Sequence, residues 1–237
     1  MNFIEHIIEP SELLLAWQSL DEKHRTRYIV GKLLRNDDGE ITLKYLDGTN
    51  DFNNAKNKGF EGYPAFQDVD QTYYNVLDAF MRRVPPRKRG DFAQYLEGLR
   101  IKPGTQLSDF ALLGYSGARL PSDGFSIIHP FNNVSGPCEL LLEAAGYRHV
   151  SNEHNFKVQV GDKASFTKTF YEPLQETAID ITVNGKRIGC VNRGLIATVL
   201  QWMNAERIID VWVEKMNGTP GRPALYLYVK VSSNKDN

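Results

Sequence analysis

The sequence predicts an α+β protein in two domains, and three observations carry that prediction. A turn ending in Asp-Gly, Asn36-Asp37-Asp38-Gly39, separates two strand-like runs, and apolar residues at helical spacing follow it. The second half instead strings short β-branched and aromatic runs around Asn184-Gly185, with a single helical stretch among them. Between the halves lies His129-Pro130-Phe131-Asn132-Asn133-Val134-Ser135-Gly136-Pro137, dense in turn formers. Domains are therefore expected over 1–131 and 138–232.

In order along the chain, the apolar run from Glu12 to Gln18 reads as a strand. Arg25 to Arg35 and Glu40 to Leu46 form the arms of the hairpin. Tyr73, Val76, Leu77 and Phe80 then fall at i, i+3, i+4 and i+7, as do Phe92, Tyr95, Leu96 and Leu99, which predicts two helices. Pro85-Pro86 must separate them, because proline lacks the amide that a helix interior needs. A third short helix is expected from Ser108 to Leu113 and a closing strand from Gly124 to His129. In the second half, strands are expected over 140–145, 156–160, 165–170, 178–183 and 187–191. A helix with Leu195, Ile196, Val199, Leu200 and Met203 on one face follows, then strands over 207–215 and 224–231. Six or seven short strands with one helix predict a small, partly open β-barrel.

Composition excludes several functions. Twenty-eight Lys and Arg against 29 Asp and Glu give a formal charge of -1, so the chain is not polybasic, although a local basic patch is compatible with that total. Cys138 and Cys190 cannot supply a four-cysteine zinc site, and the five histidines show no HExxH spacing. No run reaches the roughly 18 apolar residues of a membrane span, and the N-terminal segment has acidic residues where a signal peptide is basic. A reducing, cytoplasmic setting without a membrane partner is expected. Gly114-Tyr115-Ser116-Gly117 lacks the full Gly-x-Ser-x-Gly elbow and reads as a tight turn. With no acid–base or metal constellation, the expectation is a non-enzyme with no metal and no cofactor.

Basic and aromatic residues supply the binding candidates. Arg82, Arg83, Arg87, Lys88 and Arg89 crowd around Pro85-Pro86, equally readable as a phosphate-contacting patch or as a solvated loop. Phe166, Lys168 and Phe170 share one face of their strand, because side chains alternate with period two. Exposed aromatics there would stack bases, each worth ~1–3 kcal/mol; the competing reading places the phenylalanines in the core. Asn192 reads as an N-cap, with Arg193 placed to join it in holding a phosphate at the helix start. Cys190, Trp202 and Trp212 read as packing residues.

Several stretches of the second half carry a family resemblance: Gly161-Asp162-Lys163, then Tyr171-Glu172-Pro173-Leu174-Gln175-Glu176-Thr177-Ala178-Ile179, then Asn184-Gly185-Lys186-Arg187-Ile188-Gly189-Cys190-Val191-Asn192-Arg193 and the helix after it. In order and spacing, roughly over residues 140–231, they resemble a HIRAN domain. The resemblance implies an oligonucleotide-binding-like barrel. In a eukaryotic helicase-like translocase, such a domain grips the 3′-hydroxyl end of single-stranded DNA through a Gly-x-Arg-aromatic turn and an Asp-containing loop. The turn matches Gly146-Tyr147-Arg148-His149, with His149 replacing the aromatic. In the loop, Leu174 replaces Tyr, Gln175 stands at the Asp position and Thr177 replaces Asn. A neutral amide accepts a hydroxyl proton less strongly than a carboxylate does, so weak discrimination of the 3′ end is implied. The DNA-binding set is Arg148, His149, Lys168, Tyr171, Gln175, Lys186, Asn192 and Arg193.

The first half is similar to the N-terminal β-rich subdomain of HipA-type toxin kinases, through its Leu-rich opening strand, Tyr28-Ile29-Val30-Gly31-Lys32-Leu33, the Tyr45 strand, the helix before Pro85-Pro86, and Leu112-Leu113-Gly114 leading to Gly117. No Gly-rich phosphate loop or metal-binding Asp motif accompanies it. The expected function is non-catalytic binding of single-stranded DNA or DNA ends, in a bacterial setting of phage defence, repair or toxin–antitoxin control. The alternative is a protein-interaction regulator whose N-terminal module docks a partner enzyme.

Overall fold

In a computed structural model of the chain, residues 2–21, 26–120, 122–153, 158–172, 176–219 and 221–234 are described. The chain is mixed α+β. Its elements are β1 (Glu12–Gln18), β2 (Arg27–Arg35), β3 (Ile41–Tyr45), α1 (Asn50–Lys56), α2 (Leu77–Met81), α3 (Phe92–Gly98), α4 (Asp109–Ser116), β4 (Phe125–Ile128), β5 (Cys138–Glu143), α5 (Tyr147–Glu153), β6 (Ala164–Tyr171), β7 (Glu176–Val183), β8 (Lys186–Cys190), a 3-10 turn (Arg193–Leu195), α6 (Ile196–Asn204), β9 (Ile208–Thr219) and β10 (Arg222–Val231).

One unit comprises Ile8–Leu99 and Pro103–Phe131; the other comprises Met1–Ile7, Arg100–Lys102 and Asn132–Asn237. A contiguous 1–131 domain thus gives up two short segments to the second unit. Backbone pairing and one carboxylate explain this. Ile4 bridges Ile101 in parallel, and buried Glu139 accepts the N–H groups of Glu5 and His6, both at 3.0 Å.

In the first unit an antiparallel sheet of order β3-β2-β1-β4 forms, with the Asn36–Gly39 turn joining β2 to β3 as its chemistry requires. Phe60 packs against Trp17, Phe52, Tyr45 and Phe125, with ring centroids 5.6–6.2 Å apart. The helices are shorter than apolar spacing predicts. Tyr73 does not enter α2, because its N–H and C=O both bond Leu43 at 2.9 Å and Asn75 turns the chain through a positive φ of 54°. Two helices escape the spacing argument: α1, capped by Thr49, and α5. In α4, Ser108 caps the start, accepting from Ala111 N–H at 3.0 Å, and Ser116 lies in its last turn.

In the second unit the strands form two open three-stranded sheets, β5-β10-β9 and β6-β7-β8. Buried Leu140, Leu142, Leu225, Leu227 and Val229 line the first, and Ile179, Ile181, Val183 and Ile188 line the second. Single antiparallel bridges link their edges, Ala145 with Cys190 and Lys163 with Trp212. Of the strand expected over 156–160, Phe156 and Lys157 lie outside the described residues, while Val158 and Gln159 are irregular. Arg207 is buried and, among the described residues, is held by carbonyls rather than by a carboxylate. Its guanidinium donates to the carbonyls of Val134, Ser135, Gly136 and Ser232 at 2.6–3.2 Å, tying the start and end of this unit together.

Candidate nucleic-acid interface

The candidate site is organised by the bridge between Ala145 and Cys190, whose two N–H···O bonds are both 2.9 Å. Gly189 permits that approach: a Cβ on it would lie 2.6 Å from the Ala145 carbonyl oxygen, at a φ of +154°. Just past Ala145 the chain enters α5, where Tyr147 is buried and His149 exposed, and Arg148 Nε donates to His149 Nε2 at 3.3 Å. Just past Cys190, Val191 N–H bonds the Ile179 carbonyl. Asn192 Oδ1 then accepts from Gly194 N–H at 3.1 Å, capping the 3-10 turn. Arg193 Nη2 donates to Glu176 Oε1 at 2.6 Å, and Glu176 opens β7 directly opposite Tyr171, the last residue of β6.

The Ala145–Cys190 bridge joins residues 45 apart in sequence, so Arg148 and His149 follow one bridged residue while Asn192 and Arg193 follow the other, and the Arg193–Glu176 contact leads on to Tyr171. Gln175 and Leu174 lie outside the described residues. Lys186 does not join them: it pairs with Val183 at the opposite, hairpin end of the sheet. Lys168 sits midway along β6, exposed and opposite Ile179. The register puts Ala164, Phe166, Lys168 and Phe170 on the face that carries buried Val183, Ile181 and Ile179. That face is not covered toward the end of β6, where Phe170 is 54% exposed; Tyr171, on the other face, is 50% exposed. These two aromatics are therefore surface residues rather than core.

Charge is largely balanced here. Arg193 is engaged by Glu176, Arg187 Nε by Asp180 at 2.7 Å, and Lys163 by Asp210. Cys190 packs as the sequence implies, with burial raising its thiol above the ordinary range.

The Pro85-Pro86 patch requires a correction. Arg83 is buried and structural: its guanidinium forks onto Asp123 at 2.7 and 2.8 Å and donates to the carbonyls of Ala118 and Phe125. Burial alone would raise the Asp123 carboxyl, but the Arg83 bonds outweigh it and hold that carboxyl below its usual range. Arg87 pairs with Asp109 at 2.7 Å and Arg89 with Asp91 at 2.8 Å, yet both are exposed like Arg82 and Lys88, so Arg83 is the buried member of this set.

Among the described residues, Glu5, His6 and Glu139 form a cluster of metal-ligand type. The Glu139 carboxylate is already occupied by two backbone N–H groups and by His6 Nδ1 at 3.0 Å, so it anchors the N-terminal segment. Ser116 Oγ donates to the Leu113 carbonyl at 3.1 Å within α4, away from any nucleophile geometry. Sequence reasoning missed a groove of about 370 Å³ between β6, α6 and β9, lined by Phe166, Trp202, Met203, Ile209 and Asp210 among others. No local signal marks it, because it exists only where two sheet edges diverge. Among the described residues, no helix is long and apolar enough to cross a membrane. In comparison with known proteins, no family model, curated protein or solved structure matches the chain.

Proposed function

We propose that this chain is a non-catalytic DNA-binding protein that holds a single strand or DNA end at the end of the second unit where Arg148, His149, Tyr171, Asn192 and Arg193 gather. In this reading the strands, ordered β9-β10-β5-β8-β7-β6 and linked by their two edge bridges, are a partly open barrel of HIRAN and oligonucleotide-binding type. The observation that carries it is the Ala145–Cys190 bridge, which brings the Arg148 turn beside Asn192 and Arg193. Tyr171 and His149 supply exposed rings for stacking, and Arg148, Arg193 and Lys168 supply donors to phosphate. Arg193 must exchange Glu176 for a phosphate, so affinity is modest and salt-sensitive.

Fluorescence anisotropy with 3′-hydroxyl, 3′-phosphate and duplex oligonucleotides over a salt series tests this. Three or four phosphate contacts give a log–log slope of roughly −2 to −3 on single strands. Blocking the 3′ end should change affinity little, and Gln175→Asp should restore some preference for the free hydroxyl. Absence of binding at low salt rejects the reading. A second reading, a protein-interaction regulator acting through the first unit, is favoured by the carboxylate partners of Arg83, Arg87 and Arg89, which cancel the positive field a DNA surface needs.

A further inference from the structure

On the side where β6 faces β9, a single bridge joins the two sheets of the second unit among the described residues. Lys163 bridges Trp212, with Gly161 N–H bonding the Val213 carbonyl and Val213 N–H the Asp162 carbonyl, both at 2.8 Å. Beyond that point β6 and β9 run on as the outer strands of their sheets, and among the described residues no ladder joins them. The groove of about 370 Å³ opens in this gap. One wall is the edge of β6 at Ala164, Ser165 and Phe166; the other is the edge of β9 from Ile208 to Val211; Trp202, Met203 and Glu206 lie at its base.

We propose that this seam is a docking groove for an extended peptide of a partner protein, which pairs along the β6 edge as an added strand. The chemistry of the walls identifies the occupant. Edge strands present a row of backbone N–H and C=O groups, and another β-strand is the ligand whose own backbone matches that row. Its alternate side chains would face Phe166, Met203 and Ile209.

β6 is eight residues long, none of them is buried, and it is the outer strand of its sheet, with no ladder on its far side among the described residues. On the opposite wall Ile209 is the extra residue of a bulge, since Ile208 faces Val231 while Asp210 faces Lys230, and its side chain is 59% exposed. A bulge interrupts flat edge-to-edge pairing and re-aims a side chain, which favours a shaped partner over indiscriminate association. Charge points the same way. The groove carries two carboxylates, Glu206 and Asp210, with Lys163 against Asp210 at the closed end. Such a lining repels a phosphate backbone and suits a peptide with a basic residue beside its apolar positions. The β6 lining of the groove, Ala164 to Phe166, lies at the far end of that strand from Tyr171, with Lys168 midway between. The DNA reading is tested with oligonucleotides and this one with peptides, so either proposal can fail alone.

The test pans displayed random peptides against the full-length chain. Enriched sequences are expected to show apolar residues at every second position with a basic flank. A synthetic consensus peptide should slow amide exchange in 164–171 and 208–213. N-methylation of its backbone at alternate positions should weaken binding at least about tenfold, because it removes main-chain donors without changing side chains. Ile209→Ser, at an exposed position, should weaken binding about tenfold with an unchanged melting temperature. The proposal is overturned if no peptide with that alternation is enriched. It is overturned equally if N-methylation has no effect at any position, or if protection falls outside β6 and β9. Concentration-dependent self-association that protects the same amides would make a second copy the occupant and overturn it as well.

Discussion

Acid should destabilise the first unit through one buried imidazole, His129. Its Nε2 donates to the Ile8 carbonyl at 3.1 Å, its Nδ1 accepts from Phe131 N–H at 3.0 Å, and its ring stacks on Phe131 with centroids 3.8 Å apart. Both nitrogens are committed, so only the neutral Nε2–H tautomer fits; a proton on Nδ1 would set two donors against each other. Burial pushes this histidine from 6.5 down to about 4, against the opposing pull of the Ile8 carbonyl and the charge of Glu9. In the unfolded chain it titrates near 6.5.

Above that pH both states are neutral and the stabilisation is complete. As pH falls the unfolded state takes the proton first, so stability is lost from about 6.5 down to about 4. At pH 5 the loss is about 2 kcal/mol, and below the folded value it reaches about 3 kcal/mol. That is a large share of a typical folding free energy of about 5–15 kcal/mol. The assay is urea unfolding of the wild type and His129→Gln at pH 7.5, 6 and 5, with proton NMR of the imidazole resonances alongside. The variant should be less stable at pH 7.5, and the gap should narrow by about 2 kcal/mol at pH 5. Parallel pH profiles, or a His129 resonance that titrates near 6.5, would refute the reasoning.

Three further outcomes follow from the packing. Gly189→Ala places a Cβ 2.6 Å from the Ala145 carbonyl oxygen; amide exchange at Ala145 and Cys190 should speed up, and single-stranded DNA affinity should drop by at least about tenfold, read by anisotropy. Arg83→Met leaves Asp123 without its forked partner and should cost about 3 kcal/mol in thermal unfolding while leaving DNA affinity unchanged. Gly124→Ala would put a Cβ 1.9 Å from the Gln18 carbonyl oxygen, where β1 and the start of β4 pair; a stability loss of about 2–4 kcal/mol in chemical denaturation is expected.

Much of this architecture is legible residue by residue, because its causes are local. The Asn36–Gly39 hairpin, the Asn184-Gly185 hairpin and the Ser108 cap of α4 follow from turn and capping chemistry within a few residues. The shared face of Phe166, Lys168 and Phe170 follows from the two-residue repeat of a strand, and their register opposite Ile181, Ile179 and Thr177 agrees with it. Other features were set by partners far away in the chain. Tyr73 has the spacing of a helix residue, yet Leu43 claims its backbone. Arg83 reads like its neighbours Arg82 and Arg87, and only Asp123, forty residues on, makes it a buried strut. The placement of β10 between β5 and β9, the return of residues 1–7 to the second unit, and the meeting of Ala145 with Cys190 are likewise tertiary decisions. Local periodicity encodes which face a side chain takes, but long-range strand pairing depends on which edges remain unsatisfied once the local elements exist, and that is settled only when the whole core packs.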